Sequence, residues 1–386
     1  MTSHNLFKTK EQNYYIRERG IPRGCELCLQ GAKAVLFLNG ICQNPPHCAW
    51  YCPISEKRKN KNDTYLNEIH ISQEPEIFEE LSKMNAKGMS ITGGEPLCDP
   101  NLERTLEYIR LTKETKGSAF HIHLYTNGLH FNEDIGQRLA NAGLDEIRFH
   151  PPPDSWDCIK KALNWGMDVG AEVPVIPEEE YKTQLERFII YLDEIGADFV
   201  NLNEFEYCFP NSTELRKRGF ALKKGTIASV QNSKEIALSV INAIAPSTEL
   251  KIHFCSIKAK DYYQLKKRYT RRANNIKTPY EEVTDEGLLL YGQIEGDKEE
   301  RERLYNYLLH ESGIPQDLVM FEEEGILLPY YVLMDDEFLV FLNNFNLKGF
   351  IIESLPFNKQ KEKNYRQITE KTPIHVFKKE MEYDES

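Results

Sequence analysis

Between residues 31 and 256, short apolar runs alternate with amphipathic stretches, the pattern of strands separated by helices. The run AKAVLFLNG reads as a buried strand. From residue 72 the alternation becomes regular. Ser72 can cap a helix that puts Ile77, Leu81 and Met84 on one face, with Gly88 beyond its end; the strand MSIT follows and stops at GGEP. A helix carrying Leu102, Leu106 and Ile109 ends at Gly117 before the strand FHIHLYTNG. Residues 132–143 are helical, and DEIRFHPP is a strand stopped by its prolines. A helix with Trp156, Ile159 and Leu163 leads to AEVPVIP, one over 178–195 leads to DFVNLN, and one over about 226–243 leads to LKIHFC. Six such units predict an α/β fold with a parallel sheet and right-handed crossovers, as an open or partial (β/α)6 barrel of TIM type. In that architecture chemistry collects at the carboxyl ends of the strands.

The flanking stretches read differently. Residues 1–30 form an N-terminal arm, polar and tyrosine-rich without clear period to about residue 20, then carrying a C-x2-C knuckle at Cys25 and Cys28. Residues 257–283 read as a basic linker: eight lysines and arginines against one acidic residue lie within 258–277. The stretch suits a solvated helix, or a patch for phosphates or an acidic partner. Residues 284–378 predict a small α+β domain with an antiparallel sheet and no cysteine, and 379–386 a disordered tail.

Composition narrows the class. A net charge of −12 gives no global pull toward nucleic acid or anionic membranes. No apolar run is long enough to span a bilayer, and no apolar signal region opens the chain. Nine cysteines without an even framework point to a reducing, cytoplasmic setting and to metal chemistry rather than disulfides.

The densest candidate chemistry is CQNPPHCAWYC, directly after the first strand. It places Cys42, Cys48 and Cys52 on one loop in a C-x5-C-x3-C spacing. Three thiolates can hold three irons of a [4Fe-4S] cluster and leave the fourth open; a zinc knuckle is the alternative. With GGEP and the TNG strand end in the same order, the chain resembles a radical SAM enzyme over roughly residues 31 to 255. Within that superfamily it is similar to the archaeal group described as related to pyruvate formate-lyase activating enzyme. The usual spacing of the superfamily is C-x3-C-x2-C, so both gaps are longer here, while Tyr51 keeps the aromatic position before the last cysteine.

The resemblance implies that S-adenosylmethionine chelates the open iron. One electron then cleaves its C5'-S bond to release a 5'-deoxyadenosyl radical, and a low-potential donor such as ferredoxin supplies that electron. It further implies that Gly93 and Gly94 let the backbone approach the cofactor, that Glu95 meets its ammonium, and that Thr126 and Asn127 hold its ribose or carboxylate. Arg148 and His150 share one face of their strand; one suits the cofactor carboxylate and the other, as a catalytic residue, the substrate. Asn201 and Asn203 share a face of theirs and read as cofactor or substrate contacts. Cys98, just past GGEPL, is placed to donate a hydrogen atom or bind metal. Cys25, Cys28, His253 and Cys255 together make a Cys3His set for zinc, a mononuclear iron or an auxiliary cluster, with independent buried thiols as the plain alternative; Cys208 can replace His253.

The expected function is hydrogen abstraction from an unactivated C-H position of an unidentified metabolite, lipid, peptide or tRNA. One rival is an activase that places a glycyl radical on a partner protein. The other is a zinc-stabilised nucleic-acid-binding or interaction protein without redox chemistry.

Overall fold

The computed structural model describes residues 6–43, 46–357 and 366–384, and the chain divides into two compact units. The first, up to residue 265 apart from 83–85, is built on one sheet. Its elements in chain order are β1 (Leu6–Lys8), β2 (Tyr14–Ile16), α1 (Arg23–Leu29), β3 (Lys33–Phe37), β4 (Thr64–Leu66), β5 (Ile69–Ile71), α2 (Pro75–Lys83), β6 (Gly88–Thr92) and α3 (Leu102–Lys116). Then come β7 (His121–Thr126), α4 (Glu133–Ala142), β8 (Glu146–Phe149), β9 (Asp168–Val175), α5 (Glu179–Glu194), β10 (Phe199–Glu204), α6 (Ser212–Lys217), α7 (Ser233–Ile244) and β11 (Lys251–Cys255). Strands β3, β6, β7, β8, β9, β10 and β11 lie side by side in that order and pair in parallel. The antiparallel hairpins β1–β2 and β4–β5 extend the two edges, so the sheet is open.

The strands are amphipathic in an unusual sense. One face is apolar and buried: Ile122, Leu124, Ile147, Phe149, Val169, Ala171, Val200, Leu202, Ile252 and Phe254. It packs with the apolar stripes of the helices, such as Ile109, Leu139, Ile189 and Ile241. The other face, reached by period two, is buried yet polar: Lys33, His121, His123, Glu146, Arg148, Asn201 and His253.

Three sequence expectations need correction here. The N-terminal arm is part of the sheet rather than a separate segment: β1 and β2 form a hairpin, and β2 pairs with β11, His253 opposite Tyr15. Cys25 and Cys28 lie on helix α1 rather than on a knuckle, because Pro22 starts a turn that Glu26 continues. The stretch after β8 is a 3-10 turn over Trp156–Ala162, not an α-helix, because the prolines before it leave room for little more before β9.

The second unit comprises residues 83–85 and 266–386, of which those named above are described. After α8 (Leu265–Ile276) it contains β12 (Glu282–Val283), β13 (Leu289–Glu295), α9 (Lys298–His310), β14 (Met320–Phe321), β15 (Ile326–Leu328), α10 (Tyr330–Met334), α11 (Asp336–Asn343), β16 (Lys348–Leu355), β17 (Gln367–Pro373) and α12 (Ile374–Asp384). Its sheet is antiparallel, in the order β14-β15-β13-β16-β17 with β12 on β13. Ile294, Leu304, Leu308, Leu333, Ile351 and Ile374 form its core. Helix α12 runs on to Asp384 because Ile374 and Phe377 pack into that core, so the tail expected from residue 379 is helical as far as it is described; residues 385–386 lie outside the described residues.

Candidate metal centre

The carboxyl ends of β3 and β6 lead straight into the cysteine loop. Past β6 the backbone keeps pairing with the segment after β3: the Gly94 amide donates to the Asn39 carbonyl at 2.7 Å and the Glu95 amide to the Ile41 carbonyl at 2.8 Å. A Cβ on Gly94 would lie 1.9 Å from the Ile41 oxygen, and one on Gly93, at φ +150°, 2.6 Å from the Asn39 oxygen. The two glycines therefore bring the GGE segment against residues 39–41, one residue before Cys42. What approaches them is the root of the cysteine loop.

Glu95 is buried, and its carboxylate accepts from the Thr126 hydroxyl at 2.7 Å, the Asn127 amide at 2.8 Å and the Leu97 amide at 3.0 Å. Burial raises its pKa, and the three donors work against that rise. It fastens the end of β7 to the end of β6. From there Asn127 Nδ2 donates to Gln43 Oε1 at 2.7 Å, and Cys42 Sγ lies 3.1 Å from the same oxygen.

The far half of the loop is held by aromatic side chains. Trp50 stacks on Phe220 at 6.0 Å with the Arg218 guanidinium 4.2 Å over its ring, and Tyr51 packs edge-on against Phe205. Asn211 Nδ2 also donates to the Tyr51 carbonyl at 3.0 Å. Cys48 and Cys52 are hydrogen-bonded to each other, which lowers the Cys52 pKa and raises that of Cys48. Cys42 is pushed up to about 12 by burial, then by Glu95 and Cys98, and it feels Cys52 as well. The three thiols thus share one electrostatic neighbourhood. A bound cation reverses the balance that keeps Cys42 and Cys48 protonated, since metals take the thiolate.

Cys98 is buried with its Sγ 3.1 Å from the Glu95 carbonyl, and burial followed by Glu95 raises its pKa, so it rests as a neutral thiol. Tyr51 and His150 meet, hydroxyl to Nε2, at 2.9 Å, and burial lowers His150 to about 3. Both line a cavity of about 170 Å³ with His47, Trp50, Pro174 and Tyr181 among its walls. Among the described residues, both ring nitrogens of His47 and Nε2 of Gln43 are buried without a hydrogen-bond partner. Three thiols on one loop, beside unpartnered polar atoms and a cavity, fit a thiolate-bound cluster with a polar organic cofactor next to it.

The sequence profile of the radical SAM superfamily matches residues 46–168. The chain is also 37% identical over 347 residues to the Methanocaldococcus jannaschii protein MJ0021, with 87% of this chain and 88% of that protein covered. This chain belongs to the radical SAM superfamily. The M. jannaschii relative carries the provisional name of a glycyl-radical enzyme activating enzyme. Among solved structures, similarity extends to SuiB of Streptococcus suis bound to its precursor peptide SuiA, at a TM-score of 0.42 and 12% identity, covering 66% of this chain and 53% of that one. It also extends to the methyltransferase TsrM of Kitasatospora setae with tryptophan and a SAM analogue bound, at a TM-score of 0.33 and 14% identity, covering 47% and 38%. The chain thus spans about half the length of SuiB.

Membership makes this protein an enzyme whose cofactors are S-adenosylmethionine and a [4Fe-4S] cluster. Among the described residues, no helix is long and apolar enough to cross a membrane.

The polar face of the radical SAM sheet carries the other candidates. Arg148 lies between two carboxylates, with Nε 2.5 Å from Glu146 and Nη1 2.5 Å from Glu172. Burial pushes both carboxyls up, and Arg148 first among the opposing groups holds them below the usual range. Arg148 is therefore committed to protein carboxylates rather than free for a cofactor carboxylate. Asn203 donates to Glu172 at 2.8 Å and Asn201 to Asn203 at 3.0 Å, extending the same chain. The Cys3His set does not assemble as expected. His253 uses one ring nitrogen on Asn201 at 2.5 Å and the other on Asn13 at 3.1 Å, so its imidazole is engaged by amides.

Sequence reasoning passed over Lys33, His121, His123 and Glu146, though the alternation in FHIHLY and DEIRF already puts 121, 123, 146 and 148 on one face. His121, His123 and Glu146 bring ligand atoms within 4.8 Å of one another. Lys33 contacts His123 and Arg148 contacts Glu146, and two adjacent cations disfavour a metal ion there. The trio reads as part of a buried charge network.

Proposed function

We propose that this enzyme abstracts a hydrogen atom from a polypeptide, with a glycine α-carbon of a partner protein as its target. The observation that carries the reading is the gathering of Cys42, Cys48 and Cys52 on a loop fastened to the GGE and TN strand ends, in a chain sharing most of its length with a relative named as an activating enzyme. When bound, the cluster supplies one electron to the sulfonium of S-adenosylmethionine, so that a 5'-deoxyadenosyl radical takes hydrogen from the target and leaves methionine and 5'-deoxyadenosine.

In this reading the three cysteines hold the cluster, and a low-potential protein such as ferredoxin reduces it. Glu95 keeps the ends of β6 and β7 in register beneath it. Asn127, Gln43 and Tyr51 border the space for S-adenosylmethionine, and neutral His150 orients the Tyr51 hydroxyl. Cys98 stays protonated within reach of Cys42. The aligned 87% of the chain reaches into the second unit, so the relative shares part of that unit as well.

The test uses extract of the cells that make the protein, grown on α-deuterated glycine and treated anaerobically with enzyme, dithionite and S-adenosylmethionine. Deuterium in the recovered 5'-deoxyadenosine, with a glycyl radical in the electron paramagnetic resonance spectrum, supports the reading. Unlabelled nucleoside formed in excess over a no-extract control rules out the glycine target and leaves another substrate.

A further inference from the structure

Three cysteines outside the loop converge on the polar face of the sheet. Cys25 and Cys28 stand one helical turn apart on α1 and share a side of that helix. Helix α1 is pressed onto the sheet: the Gly24 amide donates to Glu146 at 3.0 Å, and the Gly24 carbonyl accepts from Lys33 Nζ at 3.1 Å. A Cβ on Gly24 would lie 2.3 Å from His123 Nδ1, so glycine permits this approach. Cys25 Sγ then reaches Asn201 Oδ1 at 3.5 Å. The third thiol, Cys255, sits at the end of β11 beside Asn203 in register, with amide donors from Gln264 at 3.8 Å and Asn13 at 3.9 Å. Cys28 lies within electrostatic reach of both Cys25 and Cys255.

Burial raises Cys25 and Cys255, the latter to about 11, and buried cations oppose that rise. Packing thiols are ordinarily met by apolar groups. Here Arg148, Lys33 and Lys260 surround the trio, and each finds its strongest favourable partner in a different cysteine: Cys25, Cys28 and Cys255 respectively. Arg148 and Lys33 are almost wholly buried. Buried cations facing thiols stabilise an anionic metal–thiolate complex.

We propose that Cys25, Cys28 and Cys255 hold a second iron–sulfur cluster beneath α1, with one iron free of protein thiolate. The geometry favours a cluster over a single zinc ion. His253 is already engaged, leaving three ligands. Among the described residues the three sulfurs do not gather within 4.8 Å, whereas one ion with ~2.3 Å bonds draws its sulfurs to about 3.8 Å. The inference is independent of the glycine target proposed above.

The test is iron and sulfide analysis with electron paramagnetic resonance on full-length protein reconstituted anaerobically. Two triple alanine variants are compared, one lacking Cys42, Cys48 and Cys52 and the other lacking Cys25, Cys28 and Cys255. Wild type is expected to bind about eight irons and each variant about four, the iron count of one [4Fe-4S] cluster. Loss of all iron in the first variant, or wild-type iron in the second, overturns the second site. Should the second variant fold poorly, the half-exposed Cys28→Ser alone is expected to change the spectrum of one cluster and leave the other intact. Two unchanged signals in that variant also overturn it. Four irons in wild type with full S-adenosylmethionine cleavage would sink this inference and leave the proposed function standing.

Discussion

Glycine 94 shows how a motif residue acts through packing. Its Cα carries no substituent because the Ile41 carbonyl occupies that space, and the contact sets where the cysteine loop begins. Gly94→Ala is expected to destabilise the apo-protein by about 3 kcal/mol, the upper range for overpacking, and to lower iron uptake. Urea unfolding together with iron analysis checks this, and an unchanged midpoint would contradict it. Glu95→Gln keeps the shape but turns an NH2 group toward the Asn127 amide or the Thr126 hydroxyl. It is expected to cost about 2 kcal/mol, read from the same unfolding curves. A polar residue at the end of a strand declares itself in sequence; whether it meets a cofactor or a neighbouring strand end does not. Glu95 and Arg148 both declare themselves as polar strand-end residues, yet their partners Asn127 and Glu172 were hidden because those lie 32 and 24 residues away on other elements.

At the scale of elements, the alternation of strand and helix was legible because helices such as α3 and α4 keep one apolar stripe and most parallel strands run into a glycine, proline or asparagine. Helix α4 begins and ends as its sequence says: Asn132 accepts from the Ile135 amide at 2.9 Å, and Gly143 closes it at φ +97°. The N-terminal hairpin escaped because three-residue strands show no period, and helix α1 because its polar surroundings erase the apolar stripe that marks a helix. The cysteine loop, whose described residues form no helix or strand, depends on Trp50 and Tyr51 as anchors. Trp50→Ala removes the stack on Phe220 and the cation over the ring, and is expected to cost about 2 kcal/mol for this half-buried side chain. Cluster loss on dilution, followed by absorbance, should be faster than in wild type; equal rates would show that the loop is held elsewhere.

Across the whole first unit, one sheet face holds the hydrophobic core and the other a buried polar network, which ties stability to pH. His123, His150 and His253 are held neutral, with pKa values below the ordinary 6.5 chiefly through burial, and His150 and His253 reach about 3. The unfolded chain binds those protons first. Their contribution is complete above about pH 6.5 and is lost as pH falls toward 3, by up to about 1.4 kcal/mol per pH unit for each histidine. Glu146 and Glu172, lowered below 4.5, add their loss only beneath that value. The apo-protein should therefore unfold at clearly lower urea concentration at pH 5.5 than at pH 7.5, and equal midpoints would mean that the histidines are not held neutral.

In the proposed reading, radical chemistry requires the three loop cysteines to act together. The most direct measurement is anaerobic reconstitution with iron and sulfide, then incubation with dithionite and S-adenosylmethionine while following 5'-deoxyadenosine. Wild type should form the nucleoside, and the variant lacking Cys42, Cys48 and Cys52 should form none while keeping its fold by circular dichroism. Nucleoside formation undiminished in that variant would contradict the assignment of the cluster to this loop.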